Sequence, residues 1–246
     1  MVKLPGNQSK KRLALFAIGG GFTLIVVAFV LIYFVIFPTS SPKPFRLTSS
    51  AASSVTKPTS PTASTSQVAG RWNIASGSQA GYRVREKLAF LPAQSDAVGR
   101  TSAVTGRATL TESKGSAAIT GASFTVAVNT LKSDRSLRDE KIHEIGLESS
   151  RYPTATFVLS APVTLPATAL AGHVVHVSAT GVFDIHGTSK RETFPVELSL
   201  AGSTLQVVGS LTFPWSEFGM TAPSVGGFVN VTDKATMEFD LRLQRA

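Results

Sequence analysis

Apolar and polar residues alternate along most of the chain that follows residue 67. The clearest case is the stretch 193–213, where two alternating runs are separated by Gly202 and Ser203. Because successive side chains of a strand point to opposite faces, each run has one apolar face and one more polar face. A Gly-Ser pair between two such runs is typical of a two-residue hairpin turn, since glycine readily adopts a positive φ. The pattern predicts a β-hairpin whose apolar face must be covered by other strands.

The same alternation recurs at roughly regular spacing on both sides of this hairpin. A run at 104–110 shows it, and further runs each place large apolar residues at every second position. The residues so placed are Tyr82, Val84, Leu88, Phe90, Phe124, Val126, Phe157, Leu159, Val175, Val177, Phe183, Ile185, Met237, Phe239, Leu241 and Leu243. About eight short alternating strands of this kind are typical of an antiparallel barrel or sandwich. The sequence therefore predicts an all-β domain over residues 68–246.

One stretch, 134–148, loses the period of two. Ser136 followed by Asp139 resembles a capping box, and Gly146 is a residue type that commonly ends a helix. The apolar residues expected on one side of this helix are Leu137, Ile142 and Ile145. The stretch predicts a short helix that interrupts the strands and covers one end of the barrel.

Positive charge is concentrated in the N-terminal part of the chain. The formal net charge is +9, with an isoelectric point near 10.1, but no Asp or Glu precedes Glu86. From Val68 onward about 17 basic residues are matched by 15 acidic ones, so the predicted domain is close to neutral. A nucleic-acid-binding role therefore loses its main electrostatic support. The chain has no cysteine, which excludes disulfides, thiolate metal sites and a cysteine nucleophile.

The N-terminal segment has the features of a membrane anchor. A basic tail at 1–12 is followed by an uncharged apolar stretch at 13–37. As a helix this stretch would span roughly 37 Å, more than a hydrocarbon core of about 30 Å. Lys10, Lys11 and Arg12 predict a cytoplasmic N-terminus by the positive-inside rule, so the remaining chain is expected outside the cell membrane. A cleaved signal peptide is the alternative, although its apolar region is normally only about 7 to 15 residues long.

Residues 38–67 have the composition of a linker. They are rich in Pro, Ser, Thr and Ala and contain no acidic residue. Such a segment buries too little apolar surface to offset the entropy lost on ordering. We therefore predict a disordered tether, with an r.m.s. reach on the order of 30 Å, that keeps the domain at 68–246 close to the membrane.

The polar residues give little support for catalysis or for a metal centre. His173 and His176 fall on opposite faces of a predicted strand, while His143 and His186 lie in the helix and in a turn. This distribution predicts no metal site and no cofactor. The sequence has no Gly-x-Ser-x-Gly elbow, zinc-hydrolase histidine pair or phosphate-binding glycine loop. We expect a binding protein and not an enzyme; an enzyme would have to use Glu86, the obvious acid at an inward position.

A series of short motifs runs through most of residues 70–243 in a characteristic order and spacing. The motifs are Trp72, Gly77-Ser78, Tyr82-Arg83-Val84-Arg85-Glu86, Val98-Gly99, Thr105-Gly106, Asn129-Thr130-Leu131-Lys132-Ser133-Asp134, Arg138-Asp139, Leu147-Glu148, Tyr152-Pro153-Thr154-Ala155-Thr156-Phe157, Ile185-His186-Gly187-Thr188, Phe218-Gly219, Pro223 and Val231-Thr232-Asp233. In this series the chain resembles the YceI-like family of lipid- and polyisoprenoid-binding domains. It departs from the usual family pattern at 145–151, where members commonly carry an acidic, Phe-rich run. The resemblance implies a lipocalin-like antiparallel barrel whose cavity holds a long isoprenoid or a similar amphiphile.

The interior of an eight-stranded barrel is just wide enough for packed side chains or for one slender ligand. Small residues at inward positions, namely Gly181, Gly209, Ala155 and Ala179, favour a partly hollow interior. The residues that we expect to line the cavity are Tyr82, Val84, Glu86, Leu88, Phe90, Phe124, Val126, Leu137, Ile142, Phe157, Leu159, Phe183, Ile185, Phe194, Val196, Leu198, Leu211, Phe213 and Phe239. A filled, fully packed core is the alternative interpretation.

Three polar residues are candidates for the mouth of the cavity. Glu86 lies at an inward position, where a carboxylate needs a partner, so we expect it near Arg138 or a ligand headgroup unless a bulge turns it outward. Arg138 and Asp139 are candidates for headgroup contact, and capping of the helix is the alternative role for both.

Together these features predict a single-pass membrane protein whose extracytoplasmic barrel binds a polyisoprenoid or another long-chain lipid as a carrier or buffer. The alternative function is a non-catalytic interaction or structural module of the cell envelope with a filled barrel. The sequence leaves the particular lipid and a homodimeric state open.

Overall fold

The strands of the domain follow the alternation of the sequence. The computed structural model describes residues 41–47, 68–88, 94–113, 116–225 and 229–246. Its strands are β1 (Gly70–Ile74), β2 (Gln79–Leu88), β3 (Gln94–Thr101), β4 (Val104–Ser113), β5 (Ser116–Ala127), β6 (Thr154–Leu159), β7 (Val163–Leu165), β8 (Val175–Ile185), β9 (Thr188–Ala201), β10 (Thr204–Pro214), β11 (Ser224–Val225) and β12 (Val229–Arg245). The short helices are α1 (Ser136–Lys141), which continues into a π-helical turn at Ile142–Gly146, and α2 (Ala167–Leu170). The 3₁₀ turns are Val128–Thr130 and Trp215–Phe218.

Eight of the strands close a ring in the order β1-β4-β5-β6-β8-β9-β10-β12, and the end of β12 pairs back with β1. The first part of β12 pairs instead with β2, and β2 pairs with β3. These pairings are antiparallel, and ring closure leaves the ring without a free edge. The prediction of an all-β antiparallel barrel of about eight strands is confirmed.

The predicted hairpin is the pairing of β9 with β10. Thr204 pairs with Ala201, so Gly202 and Ser203 form the two-residue turn, and Gly202 has a φ of 61°. The alternating apolar residues of β9, namely Phe194, Val196, Leu198 and Leu200, are buried and belong to the core. The core therefore lies inside the ring, on the face that the alternation predicts.

Helix α1 and the π-helical turn after it form the predicted cover, which we call the lid (Ser136–Gly146). Ile142 is buried and packs into the core, as expected. Leu137 is 53% exposed and Ile145 is 36% exposed, so the prediction that all three lie on the buried side is wrong. The buried side of the helix instead carries Arg138, one turn before Ile142, where it pairs with Glu86. Because residues four apart share a helix face, placing Arg138 and Ile142 inward turns Leu137 towards the solvent.

The capping box that we predicted at the start of the lid does not form. The helix begins at Ser136, so the N-cap position falls on Arg135, which makes no side-chain capping bond. Asp139 instead accepts a hydrogen bond from the backbone N–H of Ser133 at 2.8 Å. Asp139 therefore secures the segment that leads into the lid.

The segment 42–47, which we call the strap, lies against the outside of the barrel. The backbone N–H of Leu47 donates to Glu197 at 2.8 Å, and the Arg46 guanidinium donates to the same carboxylate at 3.0 Å. The guanidinium of Arg100 stacks over the Phe45 ring at 3.8 Å. The strap thus differs from the disordered tether predicted over 38–67, because these contacts offset the entropy of ordering it.

No helix in the described ranges is long and apolar enough to span a membrane. The predicted anchor at 13–37 and the rest of the predicted tether lie outside the described residues.

Candidate functional site

The interior of the barrel contains an apolar cavity of about 170 Å³. One water molecule needs only about 10 to 15 Å³ by the same measure, so this space far exceeds an ordinary packing defect. Residues from strands around the ring line it, and the lid and the 3₁₀ turn at Trp215–Phe218 contribute Ile142 and Trp215. The sequence-predicted residues that line the cavity are Tyr82, Phe124, Val126, Ile142, Phe157, Leu159, Phe183, Ile185, Phe194, Val196, Leu198, Phe213 and Phe239. That they contact a ligand stays a prediction.

The rings of Phe157 and Phe239 stay against the cavity wall because each lies over a glycine of a neighbouring strand. Gly209 pairs with Phe239, and a Cβ built on Gly209 would lie 2.6 Å from Cζ of that ring. A Cβ built on Gly181 would likewise lie 2.2 Å from Cε2 of Phe157. Carbon atoms in contact normally lie about 3.5 to 4.0 Å apart, so no other residue type leaves these rings in place. The wall therefore carries large rings without filling the lumen.

This arrangement corrects the prediction for the two glycines among the small residues expected to hollow the barrel. The space over Gly181 and Gly209 is occupied by the rings of Phe157 and Phe239. The open volume borders Ala155 and Ala179, as predicted, and also Ala108 and Ala122. These alanines lie on β4, β5, β6 and β8. Their side chains are too short to cross the lumen, so the centre of the barrel stays open beside them.

Several predicted lining residues do not border the described cavity. Val84 is buried in the core and Leu211 packs against the core in a half-buried position, and neither lines the cavity. Leu137 is turned outward on the lid. The side chain of Leu88 and the whole of Phe90 lie outside the described residues. Val84, Leu137 and Leu211 thus lie away from the described cavity. For the two strand residues, inward parity decides burial but not contact with the lumen.

Sequence reasoning also missed cavity residues that lie in irregular segments. Leu131, Leu147, Trp215 and Met220 line the cavity from turns and from the ends of the lid. The indole N–H of Trp215 donates to the carbonyl of Thr232 at 3.0 Å, which fixes the ring at this end. The only sequence signal for these four residues is that each is an apolar residue in or beside a turn. Alternation cannot detect them, because they do not lie in strands.

A buried ion pair holds the lid to the barrel. Glu86 accepts hydrogen bonds from Nε and Nη2 of Arg138, each at 2.9 Å, and both side chains are only 9% exposed. Asp134 also pairs with Arg138, four residues earlier in the chain. Glu86 is therefore inward and partnered by Arg138, as one of our alternatives predicted, but it does not border the cavity. The carboxylates of Glu86 and Asp134 both bind the guanidinium of Arg138, and Asp139 binds the backbone of Ser133. Headgroup contact by Arg138 and Asp139 stays a prediction.

Tyr82 borders the cavity beside this ion pair. Its side chain is buried, and its hydroxyl lies beside the side chain of Ser133. Burial raises the pKa of the phenol above its usual range; Asp139 and Glu86 act in the same direction, while Arg138 opposes them. The phenol therefore stays neutral and keeps its O–H as a donor.

His143 fastens the far end of the lid. One ring nitrogen lies 2.9 Å from the carbonyl of Leu131 and the other lies 2.9 Å from the hydroxyl of Ser149. A neutral ring satisfies both contacts when Nε2–H donates to Leu131 and Nδ1 accepts from Ser149. Across the described ranges, no group of three or more His, Asp and Glu side chains is placed to hold a metal ion.

Comparison with known proteins agrees with this architecture. A sequence profile of the YceI-like domain matches residues 51–243. A search of curated protein sequences gave no significant match. A polyisoprenoid binding domain from Saccharophagus degradans, implicated in plant cell wall breakdown, has the same fold; the match covers 72% of this chain and 99% of that one, with a TM-score of 0.53 at 14% identity. Burkholderia cenocepacia BcnA matches over 66% of this chain and 95% of its own, with a TM-score of 0.48 at 21% identity. The family profile covers most of the chain, and the chain therefore belongs to the YceI-like domain family.

Proposed function

We propose that this protein holds a polyisoprenoid or a similar long-chain amphiphile in its barrel cavity and acts as a membrane-tethered carrier or buffer. The observation that carries the proposal is an almost wholly apolar cavity of about 170 Å³ inside the barrel. Such a cavity has few polar groups with which to recognise a soluble metabolite. A long hydrocarbon chain is the ligand class that matches its chemistry. The polyisoprenoid binding described for the Saccharophagus degradans domain supports the same class.

The energetics favour exchange with a bilayer over capture from water. Each CH₂ group removed from water contributes about 0.8 kcal/mol, so one isoprene unit contributes about 3 to 4 kcal/mol. The same unit taken from a bilayer gains almost nothing, because it was already out of water. A carrier of this kind must therefore work beside a membrane. The apolar stretch at 13–37 would supply that position as an uncleaved anchor, with the barrel on the extracytoplasmic side.

Two other functions fit the site less well. A structural module of the cell envelope needs no internal space, whereas this barrel keeps a cavity that costs packing energy. An enzyme acting on the same lipid needs polar groups at the reacting atoms. The acid that borders the cavity, Glu238, is bound to Arg83 and Arg100, and Glu86 is bound to Arg138. Binding without chemistry uses the residues as they are placed.

Filling the cavity tests the proposal directly. Ala179 is buried and borders the lumen, whereas the adjacent Ser178 is exposed on the outside of the same strand. The variants Ala179→Leu and Ser178→Leu add a side chain of the same kind to opposite faces of β8. Native mass spectrometry of the full chain, purified from cells in mild detergent, measures the mass and occupancy of any bound lipid.

We expect the wild type and Ser178→Leu to carry a long-chain lipid, and Ala179→Leu to carry at least about tenfold less. Lipid that is retained equally by both variants would be bound outside the lumen and would contradict the proposal. Recovery of the wild type without lipid, and with no uptake of added polyprenol, would also contradict it.

A further inference from the structure

The end of the barrel far from the lid is closed by regular structure. Strand β10 starts at this end with Thr204 and is followed at the lid end by Trp215, whose ring lies beside Gly146. Strand β1 pairs with β4 on one side and with the end of β12 on the other. Four leucines near this end are each at most 2% exposed: Leu110, Leu165, Leu205 and Leu243. A ligand passing here would have to separate paired strands and displace a close-packed core.

The lid end is closed by irregular structure. The segment 128–147, which we call the flap, consists of a 3₁₀ turn, an irregular stretch and the lid. Its apolar residues Val128, Leu131, Ile142 and Leu147 line the cavity. The helical pieces are six residues long or shorter, and pieces of this length are not stable in isolation. The flap therefore depends on its contacts with the barrel.

The flap meets β3 along a seam with few contacts. Strand β3 is the outer strand of the β2–β3 hairpin and is not part of the ring. Among the described residues, its backbone pairs with the flap through one antiparallel bridge, in which Arg100 and Lys132 exchange hydrogen bonds of 2.9 and 3.1 Å. Beside this bridge the hydroxyl oxygens of Thr101 and Thr130 lie 2.6 Å apart. Because β8, by contrast, pairs with β9 over its whole length, the seam is joined more weakly than the ring.

The ion pair of Glu86 with Arg138 joins the flap to β2 through side chains. Both charges meet water once the flap lifts, so neither is left buried without a partner. Leu131 lies between the two flap residues of the seam and lines the cavity, so opening the seam uncovers the lumen. The free energy of a local opening rises with the contacts that it breaks, and the flap therefore opens before the ring does.

We propose that a long-chain ligand enters and leaves the lumen through this seam, by movement of the flap away from β3 while the ring stays closed. This inference rests on the proposed function and names the gate that controls exchange at the same cavity. The closed flap keeps water from the apolar lumen and retains the bound chain. Opening of the flap sets the rate of exchange, whereas the cavity sets the affinity.

Engineered disulfides test the gate, because the chain contains no cysteine of its own. Thr101→Cys with Thr130→Cys places two thiols across the seam, where the hydroxyl oxygens that they replace lie 2.6 Å apart. Thr180→Cys with Thr193→Cys is the matched control, since these hydroxyl oxygens lie 2.8 Å apart between two strands of the ring, β8 and β9. Side chains this close are within reach of a disulfide bond.

Each full-chain variant is mixed in mild detergent with the polyprenol solanesol, in the oxidised and in the reduced form. A free-thiol assay measures the extent of disulfide formation. Native mass spectrometry follows the rate at which solanesol-bound protein appears, and the rate at which it disappears after dilution into lipid-free detergent.

We expect the oxidised seam variant to take up and release solanesol at least about tenfold more slowly than its reduced form, because the gate is locked. The oxidised control should exchange solanesol at the same rate as its reduced form. Equal rates for the two forms of the seam variant would overturn the gate and leave the proposed function standing. Equal slowing in the control would also overturn it, since cross-linking would then act on the barrel as a whole.

Hydrogen exchange of the unmodified full chain gives an independent test. The amides of Arg100 and Lys132 are the donors of the bridge, so local opening should let them exchange at least about tenfold faster than the paired amides of β8 and β9. Protection of the bridge amides as strong as that of β8 and β9 would overturn the gate, because the flap would then open only with the ring. Failure of the wild type to take up solanesol would overturn the proposed function and the gate with it.

Discussion

Gly209→Ala tests the physical origin of the cavity. The ring of Phe239 lies over this glycine, and a Cβ at position 209 would stand 2.6 Å from Cζ of the ring and 3.0 Å from Cγ1 of Val196. The atoms in the way are side-chain atoms, so the strand itself need not shift. Since Phe239 borders the lumen, the direction open to its ring is into the cavity.

The size of the effect follows from these distances. Normal carbon contacts lie at about 3.5 to 4.0 Å, so the ring must retreat by about 1 Å or more. Overpacking of this kind costs about 1 to 3 kcal/mol. Replacing glycine by alanine in a strand stabilises the folded state by about 0.5 to 1 kcal/mol, because glycine loses more backbone entropy on folding. We expect the free energy of unfolding to fall by up to about 2.5 kcal/mol, with the barrel retained.

Ligand binding should respond more strongly than stability. A ring that projects into the lumen removes space for part of one isoprene unit, whose full burial contributes about 3 to 4 kcal/mol. We expect the affinity for solanesol to fall at least about tenfold. Gly121→Ala is the matched control, because a Cβ at Gly121 meets nothing within 4 Å.

The assays are urea unfolding of the full chain and native mass spectrometry with added solanesol. Unchanged solanesol affinity in Gly209→Ala would refute the reasoning, since it would mean that the glycine does not keep the ring out of the lumen. An equal loss of affinity in Gly121→Ala would point to a general effect of alanine in these strands and refute it as well.

Three further perturbations test other parts of the structure. Arg138→Met leaves the buried carboxylate of Glu86 without its partner and should lower the free energy of unfolding by about 3 to 5 kcal/mol in urea unfolding; a loss below about 1 kcal/mol would contradict the importance of the ion pair. Burial raises the folded-state pKa of Tyr82 above its unfolded value of about 10. The contribution of the neutral phenol to the free energy of unfolding is therefore fully present below about pH 10 and should fall above it by up to about 1.4 kcal/mol per pH unit. Tyr82→Phe should remove that slope, and the same slope in the variant would disprove its origin. Glu197→Ala removes the acceptor of the Leu47 amide, so hydrogen exchange at Leu47 should become fast while the barrel amides stay protected; an unchanged rate would show that other contacts hold the strap.

Alternation predicted the ring of strands well because burial on one face of a strand is a local property of the sequence. Phe194, Val196 and Leu198 are buried as their parity requires, and the two-residue turn at Gly202 closes the hairpin. The helical cover was also predictable in position, since the stretch at 134–148 breaks the period of two. Which face of this helix points inward could not be predicted, because the pairing of Arg138 with Glu86 sets the rotation of the helix and exposes Leu137.

The sequence by itself therefore determined the fold class, the buried face of most strands and the place of the lid. Only the tertiary structure decided that the barrel is hollow and which end of it is polar. Whether a ring such as Phe239 fills the lumen depends on a glycine of the neighbouring strand, Gly209, and the position of the Tyr82 ring depends on Gly99 of β3. These are contacts between residues distant along the chain, and local periodicity carries no information about them.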